Sequence, residues 1–205
     1  MGDYAYAVQT DLGAEEGRIR RMSLDEWIAL DEDESGEWVE GWLVEEEVTY
    51  GIHELLVGLL ISVLNAWVLP RGGSVFASNL KLALPTQRGR KPDLTVYLPP
   101  NRPPLREGAL RVPPDIAVEV VSTTARDQRR DRVTKFDEYA FFGVRFYWLL
   151  DPQARTLEIF ERTPDGRYAR ALGAATGSVN IPGCDGLVVD LSRLWAQVDE
   201  RDASA

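Results

Sequence analysis

From His53 to Leu69 the chain reads HELLVGLLISVLNAWVL, and it predicts a helix whose apolar residues surround nearly the whole circumference. Leu55, Leu59, Val63 and Trp67 occupy one side, while Leu56, Leu60, Leu64 and Val68 occupy another. Such a helix is stable in water only if other elements cover it on both sides. The longest apolar run, Leu55 to Leu69, is interrupted by Ser62 and Asn65 and stops at Pro70, short of the ~20 residues a bilayer requires. A central helix of a soluble protein is therefore expected, without membrane association.

Elements able to cover it follow in order. SVFASN, LKLAL, DLTVYL and IAVEVV read as short strands, the last two separated by a proline-rich loop. A helix is expected from about Asp127 to Phe142, with Val133, Phe136 and Ala140 as its core stripe and Gly143 as its stop. RFYWLL, closed by Asp151-Pro152, and TLEIFER are further strands, and LSRLWAQV is a terminal helix. Upstream, Ser23 and Glu26 form a capping box ahead of Trp27, Ile28 and Leu30, and GEWVEGWLVEEEV reads as a hairpin turning at Glu40-Gly41. This order predicts an α/β fold, a mixed sheet flanked by helices. The expected division is an N-terminal segment over residues 1–21, partly disordered, and one domain over residues 22–205.

The 205 residues suffice for a core without disulfides, and one cysteine with one histidine makes a conventional zinc centre improbable. No signal-peptide pattern opens the chain, so a reducing, cytoplasmic setting is expected. The net charge of −10 argues against a general nucleic-acid binder. The charge is unevenly spread, however: residues 1–65 hold 3 basic and 16 acidic side chains, whereas residues 66–135 hold 13 and 6.

That basic middle third contains two acids at positions where a strand usually carries something apolar. Glu119 is the only polar residue of IAVEVV, and Asp93 opens DLTVYL after Pro92. A buried carboxylate needs a cation, because leaving it unpaired costs several kcal/mol. Two carboxylates with water suit Mg²⁺, with Mn²⁺ as a substitute, and such sites mostly serve phosphate chemistry. Lys135 is the candidate cationic group, since Asp131, Lys135 and Tyr139 recur at i, i+4 and i+8 beside the apolar stripe.

The order Pro92-Asp93, Glu119, Lys135 resembles the PD-(D/E)xK nuclease superfamily. EWVEGWLVEEE, IHELL, KPDLTVYL, VEVVS, DRVTKFDEYAFFGV and YWLLDP together resemble the Uma-type family of bacterial restriction endonuclease-like proteins, over about Met22 to Glu161. The resemblance implies a restriction-endonuclease-like fold with Asp93 and Glu119 as metal ligands. The superfamily's lysine usually lies two residues after the second acid, a position held here by Val121, and the resemblance implies Lys135 as its replacement. It further implies that Glu37 extends the metal site and that His53 belongs to the catalytic group. Arg126, Arg129, Arg130 and Arg132 beside Lys135 are candidates for phosphate contacts.

The expectation is thus a Mg²⁺-dependent phosphodiesterase acting on DNA, as a homodimer paired through the apolar helix. The alternative is a nuclease fold used as an inactive binding or assembly module. The residues admit plainer readings too: Asp93 as a turn acid, Glu119 paired with an arginine, and Lys135 in a surface salt bridge to Asp131. His53 would then be a polar residue opening a buried helix, and Glu37 and the arginines would be solvated. Tyr147 and Trp148, within a continuously apolar strand, are expected to be core only.

Overall fold

The computed structural model describes residues 17–31, 34–45, 51–103, 108–122 and 124–202. β1 (Arg18–Arg21) precedes α1 (Leu24–Ile28), and the hairpin β2 (Glu37–Val39) and β3 (Trp42–Val44) leads towards α2 (Gly51–Val68). β4 (Ser74–Ala77), β5 (Leu82–Leu84), β6 (Arg88–Arg90), β7 (Leu94–Tyr97) and β8 (Ile116–Val120) follow. Next comes a helix in three parts: α3 (Ala125–Arg129), a π-helical turn (Arg130–Thr134) and α4 (Lys135–Phe142). β9 (Phe146–Asp151), β10 (Thr156–Arg162), β11 (Tyr168–Ala174), β12 (Ser178–Asn180), β13 (Val188–Asp190) and α5 (Leu191–Asp202) complete the chain.

The central sheet has the order β11-β10-β9-β8-β7-β4, mixed because β8 and β9 run parallel while its other pairs are antiparallel. Both of its faces are covered. Along β8 and β9, Ile116, Val118, Val120, Phe146, Trp148 and Leu150 point to the α2 and α5 side. Ala117, Val121, Tyr147 and Leu149 point to the α4 side. This two-sided burial explains why both strands read as nearly continuously apolar, Glu119 excepted. Leu56, Leu60 and Leu64 of α2 are fully buried against the first face, each burial stabilising by about 1.5–3 kcal/mol. By length and hydropathy the segment Gly51–Arg71 would suffice to cross a bilayer, yet its inward side is taken up by the sheet. Its other side is not fully covered: Ile52, Leu55, Leu59 and Val63 are half-buried, and Leu69 is 60% exposed.

The second sheet, in the order β1-β3-β2-β6-β5, braces the site from the side. The Glu40-Gly41 turn has φ of 48° and 86°, as a tight hairpin requires. The Ser23–Glu26 capping box forms as expected and starts α1. Trp27 packs on the bare backbone of Gly89, where a Cβ would come within 2.6 Å of its ring. Its indole N–H donates to the Gly36 carbonyl at 3.0 Å, fixing the approach to β2.

One expectation needs correcting. Val133 does not belong to the core stripe and is 56% exposed, because it lies in the π turn. The Lys135 N–H bonds to the Arg130 carbonyl, closing a wider loop than an α-turn and rotating the following residues relative to a regular helix. Asp131, Lys135 and Tyr139 are brought to the buried side, all at or below 5% exposure. The acidic run over residues 31–35 lies partly outside the described residues, as do the hairpin's last acids, Glu46 and Glu47.

Candidate active site

At the end of the central sheet where β7 begins and β8 finishes, a cleft of about 360 Å³ opens. Glu37, His53, Asp93, Glu119, Arg130, Asp131 and Lys135 are all in its wall. β7 and β8 pair antiparallel, Leu94 opposite Val118. One more step in that register sets Asp93 beside Glu119. The Val120 N–H donates to Asp93 Oδ2 at 2.7 Å, locking the first acid to the strand of the second. Pro92, just ahead of β7, lacks an N–H donor and suits the start of a strand.

From the α2 face, His53 Nε2 stands 3.1 Å from Asp93 Oδ1. Burial opposes charging the imidazole, but the hydrogen bond and charge of Asp93 outweigh it and push its pKa up to about 9. Asp93 thus favours the charged form of His53 in this geometry.

From the opposite face, Lys135 Nζ lies 3.0 Å from Glu119 Oε2, 3.4 Å from Asp131 Oδ1 and 3.6 Å from Glu37 Oε1. Burial works against its charge, but Glu119, Glu37 and Asp131 raise its pKa, so it remains an ammonium. Tyr139 OH donates to Glu119 Oε1 at 2.8 Å, so each oxygen of that carboxylate has one partner. Burial pushes Glu119 up to about 8, Lys135 only partly offsetting it while Asp93, Asp131 and Glu37 add repulsion. Burial likewise raises Asp131, whose Oδ1 has no hydrogen bond.

Glu37 is differently placed. Its Oε2 accepts from Arg90 at 2.6 Å and its Oε1 from the Lys91 N–H at 3.1 Å. Burial disfavours its charge, yet Lys135, Arg90 and Arg130 outweigh that and draw its pKa down to about 2. Arg90, only 1% exposed, also grips Glu138 with two bonds of 2.7 and 2.9 Å. Arg88 Nε reaches the same Glu138 at 2.9 Å. This buried row of Lys135, Glu37, Arg90, Glu138 and Arg88 was not legible in the sequence, because its partners lie 48 and 53 residues apart. The i, i+4, i+8 stripe was a signal for Asp131 and Tyr139 as neighbours of Lys135.

The four candidate arginines part company. Arg130 reaches the cleft wall and pairs with Asp127 at 3.2 Å. Arg126 pairs with the same Asp127 at 3.2 Å. Arg129 is exposed. Arg132 is engaged by Asp151 and Glu158, both at 2.6 Å, and ties the π turn to β9 and β10. Tyr147 and Trp148 are core residues, with Tyr147 OH also donating to the Asp131 carbonyl at 3.0 Å.

Among the described residues, no group of three or more His, Cys, Asp or Glu side chains is placed to hold a metal ion. Mg²⁺ does not need one, because it commonly takes one or two carboxylates and keeps waters or substrate phosphates as its other ligands. Asp93 and Glu119 are the adjacent acids of the cleft that such a site would use.

A mixed sheet covered on both faces, with acids at adjoining strand ends and a lysine from the flanking helix, defines a restriction-endonuclease-like fold. The chain belongs to the Uma2 family, described as "Putative restriction endonuclease", whose profile matches residues 23–193. Its fold is similar to that of a "putative nuclease belonging to DUF820" from Anabaena variabilis, with a TM-score of 0.67 and 23% identity over 85% of this chain and 98% of that one. Among curated proteins nothing matches it. The family's description points to nuclease function, the hydrolysis of phosphodiester bonds in nucleic acid.

Proposed function

We propose that the protein is a Mg²⁺-dependent phosphodiesterase acting on DNA. The observation that carries this is the meeting of Asp93, Glu119 and Lys135 in one cleft, Lys135 3.0 Å from Glu119, although the lysine arrives from a helix. Val121, at the position where the superfamily's lysine usually stands, is buried at 1% exposure and packs with Tyr139 and Tyr147. Lys135 projects from the helix over that same sheet face and supplies the charge instead.

Asp93 and Glu119 would hold the ion. Bound there, Mg²⁺ would polarise the scissile phosphate and lower the pKa of a coordinated water. Lys135 orients the attacking water and stabilises the charge that develops on the phosphate oxygens. Glu37, its oxygens engaged by Arg90, the Lys91 N–H and Lys135, positions the lysine beside the metal site. His53, 3.1 Å from Asp93 in the cleft wall, would contact a phosphate oxygen beside the ion. Arg130 adds a cation in the cleft wall.

The test is plasmid nicking with Mg²⁺ or Mn²⁺, with Ca²⁺ expected to support binding without turnover. An Asp93→Asn/Glu119→Gln double variant should be inactive while retaining its fold. Equal cleavage by that variant, or activity surviving excess chelator, would sink the metal mechanism.

A further inference from the structure

The first 65 residues contain only three basic side chains, Arg18, Arg20 and Arg21, and all three stand on β1. β1 is an edge strand, every residue of it exposed. Its pairing with β3 is irregular: Arg18 faces Val44, Arg20 faces Leu43 and Arg21 faces Trp42, so Ile19 is an inserted residue. Regular alternation would put Arg18 and Arg21 on opposite faces of the sheet. The bulge places both on one face, and both guanidinium groups lie over Trp42, at 5.0 and 5.3 Å from its ring centre. Arg20 points the other way and is neutralised by Glu34 at 2.7 Å.

The face that Arg18 and Arg21 share is the one that carries Glu37. β3 pairs with β2 so that Val44 faces Glu37 and Trp42 faces Val39. Glu37, Val44 and Arg18 therefore form one row across three strands, with roughly 10 Å between the outer two at the usual strand spacing. Arg126 joins the row. A Cβ on Gly17 would lie 3.2 Å from Arg126 Nη1 and 3.6 Å from Val44 Cγ1, so the missing side chain leaves the guanidinium room beside β1. Among the described residues, neither Arg18 nor Arg21 pairs with a carboxylate.

We infer that Arg18 and Arg21, held over Trp42, form a phosphate-binding track that leads the backbone of duplex DNA into the cleft. The inference rests on the DNA phosphodiesterase reading and adds a binding surface to it. An acidic protein gains affinity for a polyanion only where cations are gathered on one face. The β1 bulge gathers two of them, and stacking on Trp42 limits their freedom before DNA arrives.

The test is fluorescence anisotropy of a labelled DNA duplex with the full chain in Ca²⁺, at salt concentrations of about 50 to 200 mM, with melting temperatures recorded for each variant. The Arg18→Ser/Arg21→Ser variant should reduce the slope of log affinity against log salt by about 1.8, two phosphate contacts at 0.9 each. Arg18→Lys/Arg21→Lys should keep the parental slope, and so should Arg20→Ser, whose residue lies on the opposite face. An unchanged slope in the serine pair, with the parent binding DNA normally, overturns the track and leaves the phosphodiesterase reading standing. Equal loss in the lysine pair also overturns it, assigning both arginines to the support of Trp42. Failure of the parent to bind duplex DNA at any salt overturns both.

Discussion

Arg90→Met is expected to make the protein markedly easier to unfold. The guanidinium is 1% exposed and makes three bonds to two buried carboxylates, Glu37 at 2.6 Å and Glu138 at 2.7 and 2.9 Å. Methionine fills much of the volume but leaves both acids underneutralised. Glu138 retains Arg88 at 2.9 Å, and Glu37 retains the Lys91 N–H at 3.1 Å and Lys135 at 3.6 Å. Removing one partner of a buried ion pair costs about 3–5 kcal/mol. At ~2–4 °C per kcal/mol for a chain of this size, the melting temperature should fall by about 10 °C.

The deficit should also depend on pH. Glu37 has its pKa lowered from 4.5 to about 2 because cations outweigh the burial penalty. A depressed carboxylate contributes stability that is complete above its unfolded pKa and is lost as pH falls through the folded one. Arg90 supplies part of that contribution, so the variant's deficit should be full at neutral pH and narrow between pH 4.5 and about 2. Circular-dichroism melts at several pH values measure this directly. A melting temperature within about 2 °C of the parent, or a deficit unchanged by acid, would refute the view that Arg90 is the hub of a buried charge network.

Lys135→Ala should lower the cleavage rate by about two orders of magnitude if the ammonium stabilises transition-state charge, and single-turnover kinetics would show it; a loss below about threefold would leave Lys135 a structural cation. Glu119→Gln should raise the melting temperature of the metal-free protein, because burial and its acidic neighbours disfavour its charged form. The same change should abolish the stabilisation of about 1.4 kcal/mol expected from Mn²⁺ at tenfold its dissociation constant. A lower melting temperature with the Mn²⁺ response intact would make Glu119 a structural acid serving Lys135. The half-buried outer face of α2, with Leu55, Leu59 and the exposed Leu69, is expected to meet a second copy of the chain. Light scattering that shows only monomer at micromolar concentration would count against that.

What the sequence by itself determined is what local chemistry encodes. Ser23 and Glu26 specify a helix start, Glu40-Gly41 a hairpin turn, and Gly143, at φ 105°, a helix stop. The two-sided apolar runs around Trp148 and Val118 announce a sheet covered on both faces, and that alone makes Glu119 conspicuous. Only the tertiary structure decided how the charges pair. Arg90 and Glu138 are separated by 48 residues and Arg90 and Glu37 by 53, and no periodicity within a segment can report which distant strand a charged side chain will face. The π turn is similar: α-helical spacing puts Val133 in the core, whereas the structure turns Lys135 and Asp131 inward and leaves Val133 in solvent. β1 gives no apolar alternation to read, because every residue on it is exposed; its strand exists through pairing with β3, and its bulge sets the face of its arginines. Local pattern thus located the acids, while long-range packing chose their partners, because burial in a low-dielectric interior makes each buried charge depend on whichever distant counter-charge the fold brings to it.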